Sequence, residues 1–241
     1  MTAVKETPGV FLSHFARLEE KLGRDGDAWL HKVRKDAIGR FAELGFPTTR
    51  LEEWKYTNVA PIARIPFQAA ELRWDGLAEE RPAELPLAHS AFSDCCSRIV
   101  FINGHYSPQL SSPDLPERLI VGSLASAIKR NTPVVKEHLT RHAGYERQAF
   151  VALNTAFIED GAFIEVPRGV IAAAPIYILF VSTADEPIAS HPRTLIIVGA
   201  DSQAVASGGG TSTVQMYGRI FAQQDAAVGN YTDTITVTFN F

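Results

Sequence analysis

The sequence is poor in the residues that staple small secreted folds or build thiolate metal centres. Two cysteines occur in 241 residues, and they are neighbours, Cys95 and Cys96. Adjacent cysteines give no disulfide framework, and no C-x-x-C partner is at hand for a metal cage, so the pair reads as structural. Such sparse cysteine use fits a reducing, cytoplasmic location. Long apolar runs are missing too: no stretch approaches the roughly 20 residues that span a bilayer. The opening MTAVKETPGVFLSHFARLEEKL carries acids early and has no apolar h-region, unlike a secretory signal. An excess of basic residues is also absent. With 23 Lys and Arg against 27 Asp and Glu, the net charge is −4, which argues against a nucleic-acid-binding surface. There is no G-x-G-x-x-G, Walker or G-x-S-x-G motif. The run Gly208-Gly209-Gly210 does not qualify, because no helical pattern follows it.

What is present is a hydrophobic content of 46% with 21% charged residues, enough for a packed core in one large or two small domains. The first third is helical in pattern. Phe11, Phe15, Leu18 and Leu22 recur at helical spacing. After the turn GRDGD, with Asp27 in a capping position, Ala28–Leu44 carries Leu30, Val33, Ala37, Ile38, Phe41 and Leu44 on one stripe, with most charges elsewhere. Gly45 and Pro47 then read as a stop. The stretch FPTTRLEEWKYTNVAP follows, in which Thr49 and Glu52 have the spacing of a capping box opening a short helix.

Residues 66–90 read as irregular connection. Ile99–Ile102 runs into Asn103-Gly104, a hairpin signal. LPERLIVGSLASAIKRN reads as a strand entering a short helix, and 133–147 as helical. From Ala149 onward the pattern is one of short β-rich runs, with strands at Ala162–Val166, Ile176–Val181 and Thr194–Val198. Their spacing is too short for repeated βαβ units and suits a sandwich or a solenoid of stacked rungs. TVQMYGRI and YTDTITVTFNF are two further alternating strands. The expected organisation is a helical domain with linker over 1–90, a mixed α/β segment over 91–148, a β-rich core over 149–206 and a β-hairpin tail over 207–241.

Several residues invite a chemical reading. Glu52, Glu53, Trp54 and Lys55 would make a charged site, but a cap, a packing aromatic and two solvated charges account for them more simply. His138 and His142 stand four apart, a workable metal spacing, beside Glu137, although the order is E-H-x-x-x-H and not H-E-x-x-H. His191, in SHPR, sits in a turn. Asp160-Gly161 and Pro167-Arg168-Gly169 read as rung corners where glycine supplies unusual backbone angles. Arg168 and Arg193, at or near such corners, are further candidates. No catalytic residue and no metal ligand is assigned.

Together, GFPTTRLEEWKYTNVAPIA, VFINGHYSPQLS, FVALNTAFIEDGAFIEVPRGV, PIYILFVST and SHPRTLIIVGADSQA resemble, in order from about Phe11 to Ala206, the SufB/SufD family of iron–sulfur cluster assembly proteins, SufD in particular. The resemblance implies an α+β fold: an N-terminal helical domain, then a truncated right-handed parallel β-helix, then a C-terminal antiparallel β-hairpin. It also implies a scaffold and not an enzyme, with SufB-like and SufC-like subunits as partners and iron–sulfur cluster assembly as its context. The family's cluster-building residues lie in later rungs, so no position here inherits them. GGGTSTVQMYGRIFAQQDAAVGNYTDTITVTFNF instead resembles the end of spore coat protein U-like secreted domains, which puts a seam near Ala204–Gly210. Three other readings follow: an extracellular fibre subunit, a β-helix enzyme using His191 or Asp160, or a joined or frameshifted reading frame. For a true fusion, the 213–241 strands are expected to pair with the last rungs near Ile176–Val205.

Overall fold

The computed structural model describes residues 9–22, 28–70, 97–112, 118–172, 176–182, 186–207 and 213–217, with the backbone alone for 203–207 and 213–217. Two helices open it, α1 (Gly9–Leu22) and α2 (Ala28–Leu44). The expected stripes are the buried ones: Phe11, Phe15 and Leu18 on α1, and Leu30, Ala37, Ile38 and Phe41 on α2. Gly45 ends α2 with φ 64°, its N–H donating to the Phe41 carbonyl at 2.8 Å. That left-handed conformation is the one glycine adopts without a Cβ penalty. Asp27 lies outside the described residues.

A short α3 (Ala60–Arg64) and β1 (Gln68–Ala69) follow, then β2 (Ser97–Ile102), β3 (His105–Tyr106) and β4 (Ile120–Ser123). Asn103 and Gly104 join β2 to β3 with φ of 51° and 88°, the paired positive angles of a tight hairpin turn. β4 runs directly into α4 (Leu124–Lys129), as the sequence pattern predicts. Helix α5 covers only Pro133–His138, so the expected helix over 133–147 is shorter. Beyond one more turn, in which the Leu139 N–H reaches the Val135 carbonyl, the chain passes through irregular backbone around Gly144.

One expectation is overturned outright. Ala149–Ala156, read as the first of the β-rich runs, is a helix, α6. Its buried residues Ala152, Leu153 and Ala156 have helical, not alternating, spacing, and alanine is the best helix former. They pack with Phe11, Phe15, Leu18, Ala37, Ile38, Phe41 and Phe157 in one core. Tertiary contact with α1 and α2 selects the helix where short apolar runs alone are ambiguous.

Strands β5 (Ala162–Val166), β6 (Ile176–Val181), β7 (Ile188–Ala189), β8 (Leu195–Val198) and β9 (Gln203–Ser207) fall where the pattern places β-rich sequence. The sheets are small and mixed: β3-β2-β6, β4-β5-β8, β1-β7 and β9 with β10 (Thr213–Tyr217). β2–β6, β5–β8 and β1–β7 are parallel; β2–β3, β4–β5 and β9–β10 are antiparallel. Leu30, Leu124, Val135, Leu139, Ile158, Phe163 and Leu195 form a second core between helices and sheet. Ile99, Phe101, Ala162, Ile164, Val166 and Val170 form a third, between β2 and β5. Of the tail, Thr213–Tyr217 pairs with Gln203–Ser207, and the strand expected in 231–241 lies outside the described residues.

Candidate functional site

The polar residues that the fold draws together lie where α6 hands the chain to β5. Asp160 is buried at this junction. Its Oδ1 accepts the Ser123 hydroxyl at 2.7 Å, the Ala125 N–H at 3.0 Å and the Gly161 N–H at 2.8 Å. Its Oδ2 accepts the Tyr106 N–H at 3.0 Å. Ser123 is also the cap of α4, its hydroxyl oxygen accepting the Ser126 N–H at 3.2 Å. One carboxylate therefore ties the β2–β3 hairpin, the β4–α4 joint and the start of β5. Its two oxygens thus accept four hydrogen bonds, three of them on Oδ1.

Gly161 is the corner next to it. Its φ is 149°, and a Cβ there would lie 2.0 Å from the Arg193 carbonyl oxygen, so only glycine fits. The Arg193 N–H donates to the Asp160 carbonyl at 3.0 Å, and its buried side chain donates from Nη2 to Thr155 Oγ1 at 2.6 Å. Burial lowers the Arg193 pKa to about 10, which still leaves the guanidinium charged at neutral pH. The His191 ring stacks on Phe157, with centroids 4.7 Å apart, and meets the edge of Phe11. Burial, and secondarily the charge of His14, push the His191 pKa down to about 4, so the ring is neutral. Burial and Arg17 lower the pKa of His14 as well. His14, Asn103, His105, Asp160 and His191 line a cavity of about 40 Å³. Such a volume suits ordered water and falls far short of a metabolite pocket.

The other candidates are scattered. Glu52, Glu53 and Trp54 form a single 3₁₀ turn, and the expected capping box is not made. Leu51 occupies the cap position, and it is the Thr48 hydroxyl that receives a weak contact, from the Arg50 N–H at 3.4 Å. Pro47 and the brevity of the turn leave no first helical turn for Thr49 to cap. Glu52 is solvated and 3.7 Å from Lys55, while Trp54 packs on Phe150 at 5.4 Å, as a packing aromatic should. Arg168 pairs with Asp201 on the surface, with Nε and Nη2 at 3.2 and 3.1 Å from Oδ2. His138 and His142 do meet, at 3.3 Å between ring nitrogens. Cys95 and Cys96 lie outside the described residues. Among the described residues, no group of three His, Cys, Asp or Glu side chains could hold a metal ion.

Sequence reasoning missed Arg34. It is buried on α2, and its Nε donates to the Ile158 carbonyl at 2.9 Å. The signal was its position: 34 lies on the face shared by Leu30, Ala37, Ile38 and Phe41, where a solvated charge would not sit. Ser123, which ends β4, was not singled out either, although its place before LASAIK suits a cap.

This arrangement holds geometry and assembles no nucleophile, base and oxyanion donor. Comparison with known proteins supplies what the site does not. Residues 6–178 match the model of the SufBD protein N-terminal region. The chain belongs to the SufB/SufD family. Over 182 residues it is 31% identical to an iron–sulfur cluster assembly SufBD family protein of Synechocystis, covering 73% of this chain and 38% of that one. It is 26% identical to the iron–sulfur cluster assembly protein SufB of Bacillus subtilis over 186 residues, which make up 72% of this chain and 38% of the relative. To SufD of the same organism it is 21% identical over 188 residues, 74% of this chain and 40% of the relative. This SufB/SufD-family chain thus spans about two-fifths of the length of these curated relatives. Residues 189–238 match the Spore Coat Protein U domain model, in line with the resemblance of the tail. That match opens at residue 189, earlier than the seam expected near Ala204–Gly210.

Proposed function

We propose that the chain is a SufD-like scaffold component of iron–sulfur cluster assembly that works in the cytoplasm through contacts with SufB-like and SufC-like subunits, and that turns over no small substrate. Family membership carries this reading. The four hydrogen bonds accepted by Asp160, the stacking of His191 and the small cavity that both line support a structural use of the polar junction. We further propose that β5 and β8 begin a parallel β-helix. In support, Phe163 faces Leu195 and Val166 faces Val198 at a constant step of 32 positions. The same register continues outside the strands in backbone bonds offset by one residue, as parallel pairing requires, from the Arg193 N–H to the Asp160 carbonyl at 3.0 Å and from the Gly199 N–H to the Val166 carbonyl at 2.8 Å. One coil lying on the next through its corners as well as its strands is the habit of a solenoid.

Co-purification of the full chain with SufB-like and SufC-like subunits tests the assignment. Retention of either is expected, and failure to associate with both overturns it. The match over residues 189–238 favours a second reading, an extracellular fibre or surface subunit. Recovery of the protein from a secreted fraction, with none in the cytoplasm, would select that reading.

A further inference from the structure

The core between β2 and β5 is closed on one side and open on the other. Ile99 and Phe101 of β2 belong to it and are fully buried. In register beside them on β6 stand Ile178 and Phe180. Phe180 stacks on Phe101, with ring centroids 5.1 Å apart and 26° between the planes, yet it is 43% exposed. On the facing sheet, Val166 of β5 is buried while its partner Val198 on β8 is only partly so. The inner row thus ends in an apolar surface beside strands that close their sheets: among the described residues, β6 ends β3-β2-β6 and β8 ends β4-β5-β8. β6, IYILFV, carries none of the charges or prolines that natural edge strands use against stray pairing. An uncharged end strand with a half-exposed phenylalanine calls for a cap, as the terminal coil of a solenoid does.

The sequence after the described strands supplies a segment of matching form. In YTDTITVTFNF, residues 231–241, Ile235, Val237, Phe239 and Phe241 fall on one side behind Tyr231 and Asp233, and four threonines and Asn240 fall on the other. That alternation is the pattern of a strand with one face on a core and one in water. The place where the chain leaves the described region favours it as well. Tyr217 is paired with Gln203, which follows Ser202, and the Ser202 hydroxyl donates to the Pro167 carbonyl at the corner of the coil. Residues 218–230, fully extended, reach up to about 40 Å, roughly twice the length of β6. A strand tethered so near the open end meets it at an effective concentration in the millimolar range, well above that of a second copy in dilute solution.

We infer that residues 231–241 cap the open end of the coil, pairing along β6 over Ile178–Val181 and laying Ile235, Val237 and Phe239 over Phe180 and the end of the third core. The interaction surface is internal to the chain. It needs only the described strands, and it holds whether or not the chain associates with SufB-like and SufC-like subunits.

Hydrogen exchange of the full chain, read residue by residue by NMR, tests this. Alternate N–H groups of β6 point away from β2 and report on the cap. Those within Ile178–Val181 are expected to be protected in the parent monomer. Val237→Lys/Phe239→Lys sets two charges on the capping face and should speed their exchange at least about tenfold. Thr234→Lys/Thr236→Lys sets the same charges on the other face and should leave them protected. Protection along α2, Ala28–Leu44, should be the same in all three proteins, which shows that the fold is kept. Cross-relaxation between the Phe180 ring and the side chains of 235–239 is expected in the parent and needs no variant. Its absence, β6 N–H groups that exchange as in an unstructured chain, or equal protection with and without the apolar pair would each overturn the inference. So would protection that disappears on dilution together with a dimer-to-monomer change in sedimentation, which would assign the cover to a second copy.

Discussion

Replacing Asp160 should unfasten the junction while leaving the helices' apolar contacts untouched. In Asp160→Ala, the N–H groups of Ala125, Gly161 and Tyr106 lose their acceptor, and the Ser123 hydroxyl must turn elsewhere. A buried donor left without a partner costs about 1–3 kcal/mol, and such losses on one hub do not add fully. The expected destabilisation is about 4–6 kcal/mol, a large part of the roughly 5–15 kcal/mol that holds a typical domain. Asp160→Asn keeps one carbonyl for the three donors around Oδ1 but sets an amide N–H₂ against the Tyr106 N–H, so about 2–3 kcal/mol is expected. Equilibrium urea denaturation followed by circular dichroism measures both. Glu159→Gln is the control: its carboxylate makes one ion pair, with the exposed Lys21 at 2.8 Å, and its loss should cost no more than about 1 kcal/mol. A double cycle with Ser123→Ala should return a coupling of about 0.5–3 kcal/mol. If Asp160→Ala costs under about 1 kcal/mol, or no more than Glu159→Gln, the hub is not what joins these elements.

The remaining expectations concern the neighbours of that hub. Gly161→Ala places a Cβ on the Arg193 carbonyl at a φ that side chains rarely adopt, and should cost about 3 kcal/mol or more in the same assay; a neutral effect would refute the close approach. Gly199→Val should lower hydrogen-exchange protection at Phe163–Val166, because a Cβ on Gly199 would lie 2.6 Å from the Arg168 nitrogen; unchanged protection there would separate the two coils. His191 is held neutral with its pKa near 4, below the 6.5 of an exposed ring, so its contribution is intact above pH 6.5 and is lost as pH falls towards 4. Between about pH 7.5 and about pH 5 the loss should reach about 2 kcal/mol. A His191→Phe variant should show a shallower fall, and an equal slope would exclude this histidine as the cause.

The helical layer was legible because its signals are local and redundant. Phe11, Phe15 and Leu18 on one helix and Leu30, Ala37, Ile38 and Phe41 on the next repeat at 3.6-residue spacing, and Gly45 ends the second with the one conformation it is suited to. The Asn103-Gly104 hairpin was legible for the same reason. AFVALNTA was not, because eight residues of mixed small and apolar type carry no period strong enough to separate helix from strand; contact with the α2 face decides it. The Thr49–Glu52 capping box failed for the opposite reason. A local motif was present without a long enough helix behind it. Asp160 was marked by the Asp-Gly corner, but its donors come from residues 106, 123 and 125, a convergence that only the fold creates.

The two family matches meet in a region that is physically undivided. The first ends at residue 178 and the second begins at 189, yet Leu195–Val198 pairs with Phe163–Val166, and further bonds on either side tie Arg193 to Asp160 and Gly199 to Val166. Gly169 N–H reaches the Ala200 carbonyl at 3.0 Å, and the Ser202 hydroxyl donates to the Pro167 carbonyl at 2.6 Å. Leu195 closes the second core against Phe163 and Leu30, and Ile196 and Val198 pack on the third. Parallel pairing of this kind is a long-range commitment, since neither strand can form it with its immediate neighbour in sequence. After β8 the next described pair, β9 with β10, is antiparallel, Gln203–Ser207 against Thr213–Tyr217. The change from parallel to antiparallel hydrogen bonding falls at the glycine run that the sequence itself marks out. By the criterion of shared hydrogen bonds and shared core, residues 195–202 form one packed unit with 163–170, and a division at residue 189 would part strands that pair with each other.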